Sequence, residues 1–286
     1  RDQSESSLEK TFEHFIKTLG VNYRKRDRYI ISPYEIDFYF PDHEIGVELN
    51  GVYYHSTAKL DRNYHLRKTE MVEDAGVRLI HIFEDEWNYN REVCKKKIAS
   101  ILNKDGSPSV YARKCNVFKT TKTNQFKNFF EDNHIQGFSG ATEAIFLCYD
   151  GVPVAVSLYK KRNNEEYEMV RYATSCKVPG GFSKLFKEAK NHYTKKGVKR
   201  IITFADRTWS QGKVYLDTGW KLDKTIKPDY RYVVQDRRVR KQNFRRNLLE
   251  RKLENFDPEL SEVENMLNHG YYQIFDCGLY KFTYDL

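Results

Sequence analysis

The sequence predicts two consecutive domains of mixed α/β (α+β) class. Three observations lead there. The length of 286 residues exceeds the roughly 100–200 of an ordinary domain. Amphipathic helical segments alternate with strand segments instead of forming runs of one kind. One polar break with Gly and Pro, Asn103-Lys104-Asp105-Gly106-Ser107-Pro108-Ser109, interrupts a chain without repeats. The boundary is placed there, giving domains over 1–105 and 110–286.

The first domain opens with a helix, since Leu8, Phe12, Phe15, Ile16 and Leu19 recur at helical spacing and Gly20 stops it. Val21 to Ile31 is β-rich but basic, and Tyr34 to Phe40 alternates between Ile36, Phe38, Phe40 and Glu35, Asp37, Tyr39. The polar turn Pro41–Glu44 leads to a strand from Ile45 to Asn50. Arg62 to Ala75 reads as a helix ended by Gly76, and Val77 to Phe83 as a buried strand. Glu84-Asp85-Glu86 reads as a solvated acidic loop, with metal binding as the alternative, His81 as a satisfied core histidine ahead of a ligand, and Trp87 as packing. In the second domain a helix near Asn124–Phe130 precedes a hairpin, Glu143–Tyr149 and Val152–Tyr159, whose Asp150-Gly151 suits a type I′ turn. A strand at Tyr167–Ala173, a Pro179-Gly180-Gly181 turn, a helix at Ser183–Tyr193 and a strand at Arg200–Ala205 follow. A short helix near Gly212–Thr218 and a strand near Tyr230–Gln235 complete the predicted unit.

Composition narrows the function classes. Lys and Arg number 49 against 40 Asp and Glu, a formal charge of +9 that points to a polyanionic partner, most simply nucleic acid. Mean hydropathy of −0.77 and the lack of a long apolar stretch give no membrane partner. Five scattered cysteines without C-x-x-C spacing predict reduced thiols in a cytoplasmic setting and no structural zinc. The start, Arg1-Asp2-Gln3-Ser4, has neither a signal peptide's apolar run nor a Met, and reads as that of a fragment or a processed form.

The candidate chemistry lies in the hairpin. If Phe40 and Ile45 pair across the turn, Asp37 faces Glu48 with Cβ atoms about 5 Å apart. Carboxylates that close repel unless one is protonated or a cation joins them, and a hard divalent cation would suit their oxygens. Asn50 points to the same face, and His55, Asp61, His65 and Lys68 follow. Asp61, His65 and Lys68 are spaced along one helical face, which leaves Leu66 and Met71 for the core. The plain alternative is a solvated hairpin face.

The run Ile36-Asp37-Phe38, Val47-Glu48-Leu49-Asn50-Gly51, His55, then Tyr64-His65-Leu66-Arg67-Lys68-Thr69-Glu70 and Leu79 to Trp87 resembles PD-(D/E)XK nucleases. Within them it is similar to the very-short-patch-repair-like (EDxHD-type) phage homing endonucleases. The resemblance covers about the first hundred residues and implies a restriction-endonuclease-like αβββαβ fold. It implies a magnesium-dependent (or manganese-dependent) endodeoxyribonuclease acting on double-stranded DNA, in which Asp37 and Glu48 hold the metal and Glu13, or else Glu9, is the helix acid. The nuclease motif's lysine falls at Asn50, a departure. Lys68 then supplies the missing cation, or His55 or His65 serves as general base. One such centre per chain cuts one strand, so a double-strand break would need a homodimer or successive nicks.

The second domain's element order is similar to the GNAT acyltransferase fold, with Lys177-Val178-Pro179-Gly180-Gly181-Phe182 at the cofactor turn and Phe182 departing from the family pattern. The segment Ala205 to Ser210 with Tyr215 and Gly219 also resembles the C-terminal regions of those phage enzymes and, distantly, the Mom DNA-modification protein. That resemblance makes Asp206, Arg207 and Ser210 polar candidates. Arg24, Lys25, Arg26 and Arg28, with Arg207, Arg237, Arg238, Arg240, Lys241, Arg245 and Arg246, are the candidate phosphate contacts. The leading expectation is a site-specific endonuclease. The alternatives are a GNAT-like DNA-base-modifying transferase and a non-catalytic DNA-binding protein.

Overall fold

The computed structural model describes residues 6–104, 106 and 108–286. Asp105 and Ser107 of the expected boundary lie outside the described residues. Ser6 caps α1 (Ser7–Leu19) by accepting the Glu9 N–H, and Leu8, Phe12 and Ile16 form its buried stripe. The chain continues through β1 (Arg24–Asp27), β2 (Ile36–Phe40), β3 (Ile45–Asn50), α2 (Tyr64–Asp74), β4 (Arg78–Phe83), α3 (Glu84–Tyr89) and α4 (Arg91–Ile101). Next come β5 (Asn116–Thr120), α5 (Lys127–Asn133), β6 (Glu143–Tyr149), β7 (Val152–Lys161), β8 (Glu166–Thr174), α6 (Gly181–Lys195), β9 (Arg200–Asp206), α7 (Lys213–Leu216) and β10 (Lys221–Ile226). The remainder holds β11 (Tyr230–Val234), β12 (Arg237–Arg240), α8 (Arg246–Leu249), α9 (Glu262–Asn268), β13 (Gln273–Phe275) and β14 (Leu279–Asp285).

These elements form two compact units, and neither is continuous in sequence. The first takes the chain up to Tyr89, Arg207–Trp209 and Lys227–Gly278. The second takes Asn90–Asp206, Ser210–Ile226 and Leu279–Leu286. A single cut in the sequence does not anticipate this division. The strand expected at Tyr230–Gln235 is β11, but it belongs to a three-stranded sheet, β12-β11-β13, in the first unit. Side-chain periodicity marks a segment as a strand and does not specify its partner, which is chosen by contacts remote in sequence.

The first unit's main sheet runs β1-β2-β3-β4, with β1, β2 and β3 antiparallel and β4 parallel to β3. With α1 before it and α2 between β3 and β4, the expected αβββαβ order is present. The hairpin register pairs Phe40 with Ile45 and Phe38 with Val47, as expected, so Asp37 continues towards Glu48. Beneath the sheet Phe12 packs edge-on against Phe38 at 5.0 Å and Trp87 at 5.3 Å.

The second unit is a seven-stranded sheet ordered β10-β14-β9-β8-β7-β6-β5. Its one parallel pair, β8 with β9, holds only from Glu166–Arg200 to Met169–Thr203. Beyond that point β9 stays paired to β14 as far as Asp206, while β8 stays with β7 to Thr174. The sheet therefore splits at the C-terminal ends of β8 and β9, where α6 begins. This mixed sheet with one splayed parallel pair is GNAT-like. Among the described residues, no helix is long and apolar enough to cross a membrane.

Candidate functional site

In the first unit the ends of β2 and β3 and the start of α2 bring Asp37, Glu48 and Lys68 together. The Asp37 N–H donates to Glu48 Oε1 at 3.3 Å, and the Leu49 N–H donates to Asp37 Oδ2 at 2.7 Å. Lys68 Nζ donates to Glu48 Oε2 at 2.6 Å in a pair whose side chains are 8 % and 2 % exposed. Burial raises the Asp37 carboxyl well above its usual range, and the Glu48 charge adds to this. Burial also raises Glu48, against the pull of Lys68. Burial opposes charge on Lys68, but Glu48, with Tyr64 and Asp37, raises it on balance, so the ammonium stays protonated.

The buried face of α2 is polar: His65, Lys68, Thr69 and Val72. The expected assignment of Leu66 and Met71 to the core is corrected, since Met71 is exposed and Leu66 only half-buried. Asp61 lies before the helix, where it is exposed and pairs with Arg67 at 2.6 Å, so it does not join His65 and Lys68. The polar stripe is buried because the groups opposite it are polar as well.

A hydrogen-bonded chain runs beneath the acids. His55 Nδ1 and His65 Nε2 are 3.2 Å apart. The Phe275 carbonyl hydrogen-bonds to His65 and favours a proton there. With that proton on Nδ1, the nitrogen facing His55 is an acceptor, so His55 donates from its own Nδ1 and keeps a lone pair on Nε2. Burial, then the charge of Lys68, lowers His55 to about 4. Burial, then His55, lowers His65 to about 3. Both rings are therefore neutral at pH 7. Asn50 is engaged by a histidine of β4. It is buried against His81 Nδ1 at 3.2 Å, and His81 Nε2 meets Thr69 Oγ1 at 2.8 Å. Asn50 Oδ1 is buried without a hydrogen-bond partner among the described residues. Thr69 Oγ1 also lies 3.3 Å from Cys277 Sγ. Phe275 and Cys277 come some 200 residues after Thr69, and no local pattern marks them.

Glu13 on α1 is engaged by a tyrosine and a lysine. It accepts from Tyr23 Oη at 2.7 Å and Lys25 Nζ at 3.0 Å, which lower it to about 2. On α1 it is Glu9 whose charge acts on Asp37. The acidic triplet is not a solvated loop: it starts α3, and Glu84 Oε2 accepts the Val52 N–H at 3.1 Å. Asp85 and Glu86 both hold the buried Arg238 at 2.8 Å, and its guanidinium lies 3.8 Å from the Phe83 ring.

Asp37 and Glu48 offer the oxygens a hard cation takes. However, Glu48 Oε2 is committed to Lys68 and Asp37 Oδ2 to Leu49. Among the described residues no three His, Cys, Asp or Glu side chains form a metal-holding group. As arranged, the site does not fit a divalent ion, and the Lys68 ammonium takes the place of the cation the paired acids require.

Several candidate phosphate contacts are already paired with acids: Arg24 with Asp27, Lys25 with Glu13, Arg26 with Glu9, Arg28 with Glu35 and Lys241 with Asp229. Arg207 and Arg238 are buried on carboxylates. The Arg237 guanidinium lies 3.6 Å from the Tyr89 ring. Arg240, Arg245 and Arg246 are exposed.

The second unit's crevice carries the turn before α6. Gly180 has φ 76°, which glycine adopts without strain. A Cβ on Gly181 would sit 3.0 Å from Val178 Cγ1 and 3.2 Å from Tyr172 Oη. The Phe182 ring is buried, 5.1 Å from Tyr172 and 5.6 Å from Tyr215. Asp206 accepts from Gln136 at 2.9 Å and Ser210 accepts the Gly212 N–H at 3.1 Å. Arg207 is counted with the first unit, where it pairs with Glu70 and Glu73.

No family model matches the chain, and neither does any curated protein. Solved structures do. The ribosomal-protein-S18-alanine N-acetyltransferase from Escherichia coli is 11% identical at TM-score 0.37, over 60% of this chain and 93% of that one. A GNAT family acetyltransferase from Elizabethkingia anophelis with acetyl-CoA bound is 11% identical at TM-score 0.33, over 60% and 99%. The homing endonuclease I-Bth0305I catalytic domain is 20% identical at TM-score 0.30, over 36% and 100%. These are similarities of fold. The expected magnesium-dependent endodeoxyribonuclease is corrected: the acids expected to hold metal are engaged by Lys68 and Leu49, and the similar solved structures are mainly titled as acetyltransferases.

Proposed function

We propose that the chain is a duplex-DNA-binding protein. One observation carries this reading: the positive excess of +9 survives the internal pairing described above. Much of the basic N-terminal stretch is neutralised by neighbouring acids, yet Arg240, Arg245 and Arg251 on the first unit's inserted segment are exposed. They have no carboxylate partner among the described residues, so they are free to meet phosphates. The test is fluorescence anisotropy of a labelled duplex titrated with the full chain at 50–200 mM salt. Binding that weakens steeply with salt, by about 0.9 in log–log slope per phosphate contact, supports the reading. Affinity that does not change with salt, or no binding at 50 mM, sinks it.

A second reading, a GNAT-like transferase acting on DNA bases, rests on the splayed end of β8 and β9 facing the start of α6, a helix of 15 residues whose first N–H groups could receive phosphate. The Phe182 ring stands against it. Nucleoside mass spectrometry after incubating duplex, protein and acetyl-CoA decides the point: a mass increase requiring acetyl-CoA establishes the transferase, and unmodified nucleosides leave binding alone.

A further inference from the structure

Between Asp105 and Glu131 the chain has no carboxylate, while it has five cations: Arg113, Lys114, Lys119, Lys122 and Lys127. All five are exposed. Lys119 pairs with Glu188 at 2.7 Å. The other four have no carboxylate partner among the described residues, unlike the basic stretch from Arg24 to Arg28. They lie on and around β5, the edge strand of the seven-stranded sheet.

The fold adds further cations at both ends of this strand. The Val110 N–H donates to the Lys177 carbonyl at 2.9 Å, which brings the exposed Lys177 beside Arg113 and Lys114. Lys184, in the first turn of α6, donates to the Ala112 and Cys115 carbonyls at 2.9 and 2.6 Å. At the other end Lys96 of α4 donates to the Asp132 carbonyl of α5 at 3.3 Å. Flat rings are interleaved: Arg113 lies 5.1 Å from the Tyr111 ring centre, and the exposed Phe118 is stacked on Phe146 at 5.6 Å. Charged side chains, lysine above all, keep an open edge from pairing with other strands, but four cations without a carboxylate partner among the described residues around one edge call for another reason. The five residues of β5 span about 17 Å at about 3.3 Å each, the rise of about five base steps at 3.4 Å.

We propose that the β5 edge of the second unit, from Arg113 to Lys127, tracks the phosphates of duplex DNA. This rests on the reading of the chain as a DNA-binding protein and adds a surface on the GNAT-like unit. The test compares the full chain with the variant Arg113→Gln, Lys114→Gln, Lys122→Gln, Lys127→Gln and with a control of equal charge change on the same unit, Lys187→Gln, Lys195→Gln, Lys221→Gln, Lys224→Gln. Duplex binding is followed by anisotropy from 50 to 200 mM salt. The expected result is a slope reduced by about 2–4, at about 0.9 per lost contact, in the first variant, with the control close to wild type. Equal slopes for both variants overturn the proposal while leaving DNA binding intact. Absence of binding by the wild type overturns both. Acetylation footprinting of the unmodified protein gives a readout free of folding effects: bound duplex should protect Lys114, Lys122 and Lys127 but not Lys187 or Lys195, and uniform labelling with and without DNA refutes the surface.

Discussion

Replacing Lys68 with Met tests the acid cluster directly. The Nζ–Oε2 separation of 2.6 Å corresponds to about 6 kcal/mol of attraction at an effective dielectric of about 20. Desolvation of both groups offsets much of that. The variant leaves Glu48 buried beside Asp37 with no counter-charge, and breaking one side of such a pair costs about 3–5 kcal/mol. The loss should depend on pH in a set direction. Without the ammonium, the Glu48 carboxyl rises further in the folded state, so the deficit grows as pH rises above the unfolded carboxylate value of 4.5 and vanishes below it. Urea unfolding monitored by the fluorescence of Trp87, buried in the same unit, measures it at pH 7 and 4.5. Glu48→Gln added to Lys68→Met should recover part of the loss. A loss under 1 kcal/mol at pH 7, or a double variant no more stable than the single one, refutes the cluster as described.

Three further outcomes follow from the same geometry. His55 and His65, held down to about 4 and about 3, keep their stabilising effect above pH 6.5 and lose it as pH falls, at about 1.4 kcal/mol per unit for each ring. Nitrogen-detected NMR should find both rings neutral at pH 5.5, and a midpoint near 6.5 in the folded protein refutes their burial. Arg238→Met should cost about 3–5 kcal/mol, because it strands Asp85 and Glu86, and the loss should shrink when both acids are also made amides, as read by thermal melting. Gly212→Ala should destabilise the second unit by about 2–4 kcal/mol, since its Cβ would stand 2.4 Å from the Phe282 ring at a residue with φ 73°; the assay is urea unfolding read by Trp220, and an unchanged midpoint counts against the packing.

Much of the first unit could be read in advance because its signals are local. Alternation from Ile36 to Phe40 and a short polar turn define the hairpin, and the register placing Asp37 against Glu48 follows from their positions. The helix face was misread because the usual rule assigns apolar residues to the core. Here His65, Lys68 and Thr69 have the spacing of a buried stripe, and they are buried against acids and imidazoles. Arg238 reads as a phosphate contact in any local window, since Asp85 and Glu86 are about 150 positions earlier. Phe275, whose carbonyl sets the proton on His65, contributes backbone only, and no residue type identifies it. In the second unit the Asp150-Gly151 turn was legible from its two residues, which have φ 48° and 79°. Phe182 was visible as a departure, but its burial against Tyr172 and Tyr215 depends on neighbours distant in sequence.

The interleaving of the two units also bears on how the chain is made. The first unit lacks its small sheet, the partner of Asp85 and Glu86 and the carbonyl of Phe275 until residues 227–278 have emerged. The second lacks β14, the strand between β9 and β10, until residues 279–285 have emerged. Neither unit can therefore close until segments more than a hundred residues after its first strands are available, and the contacts that finish each one join distant parts of the chain. Folding of this kind is slow and leaves strand edges open in the interim. Fragments ended at residue 105 would retain the paired acids and Lys68 but not the segment that sets the histidines beneath them.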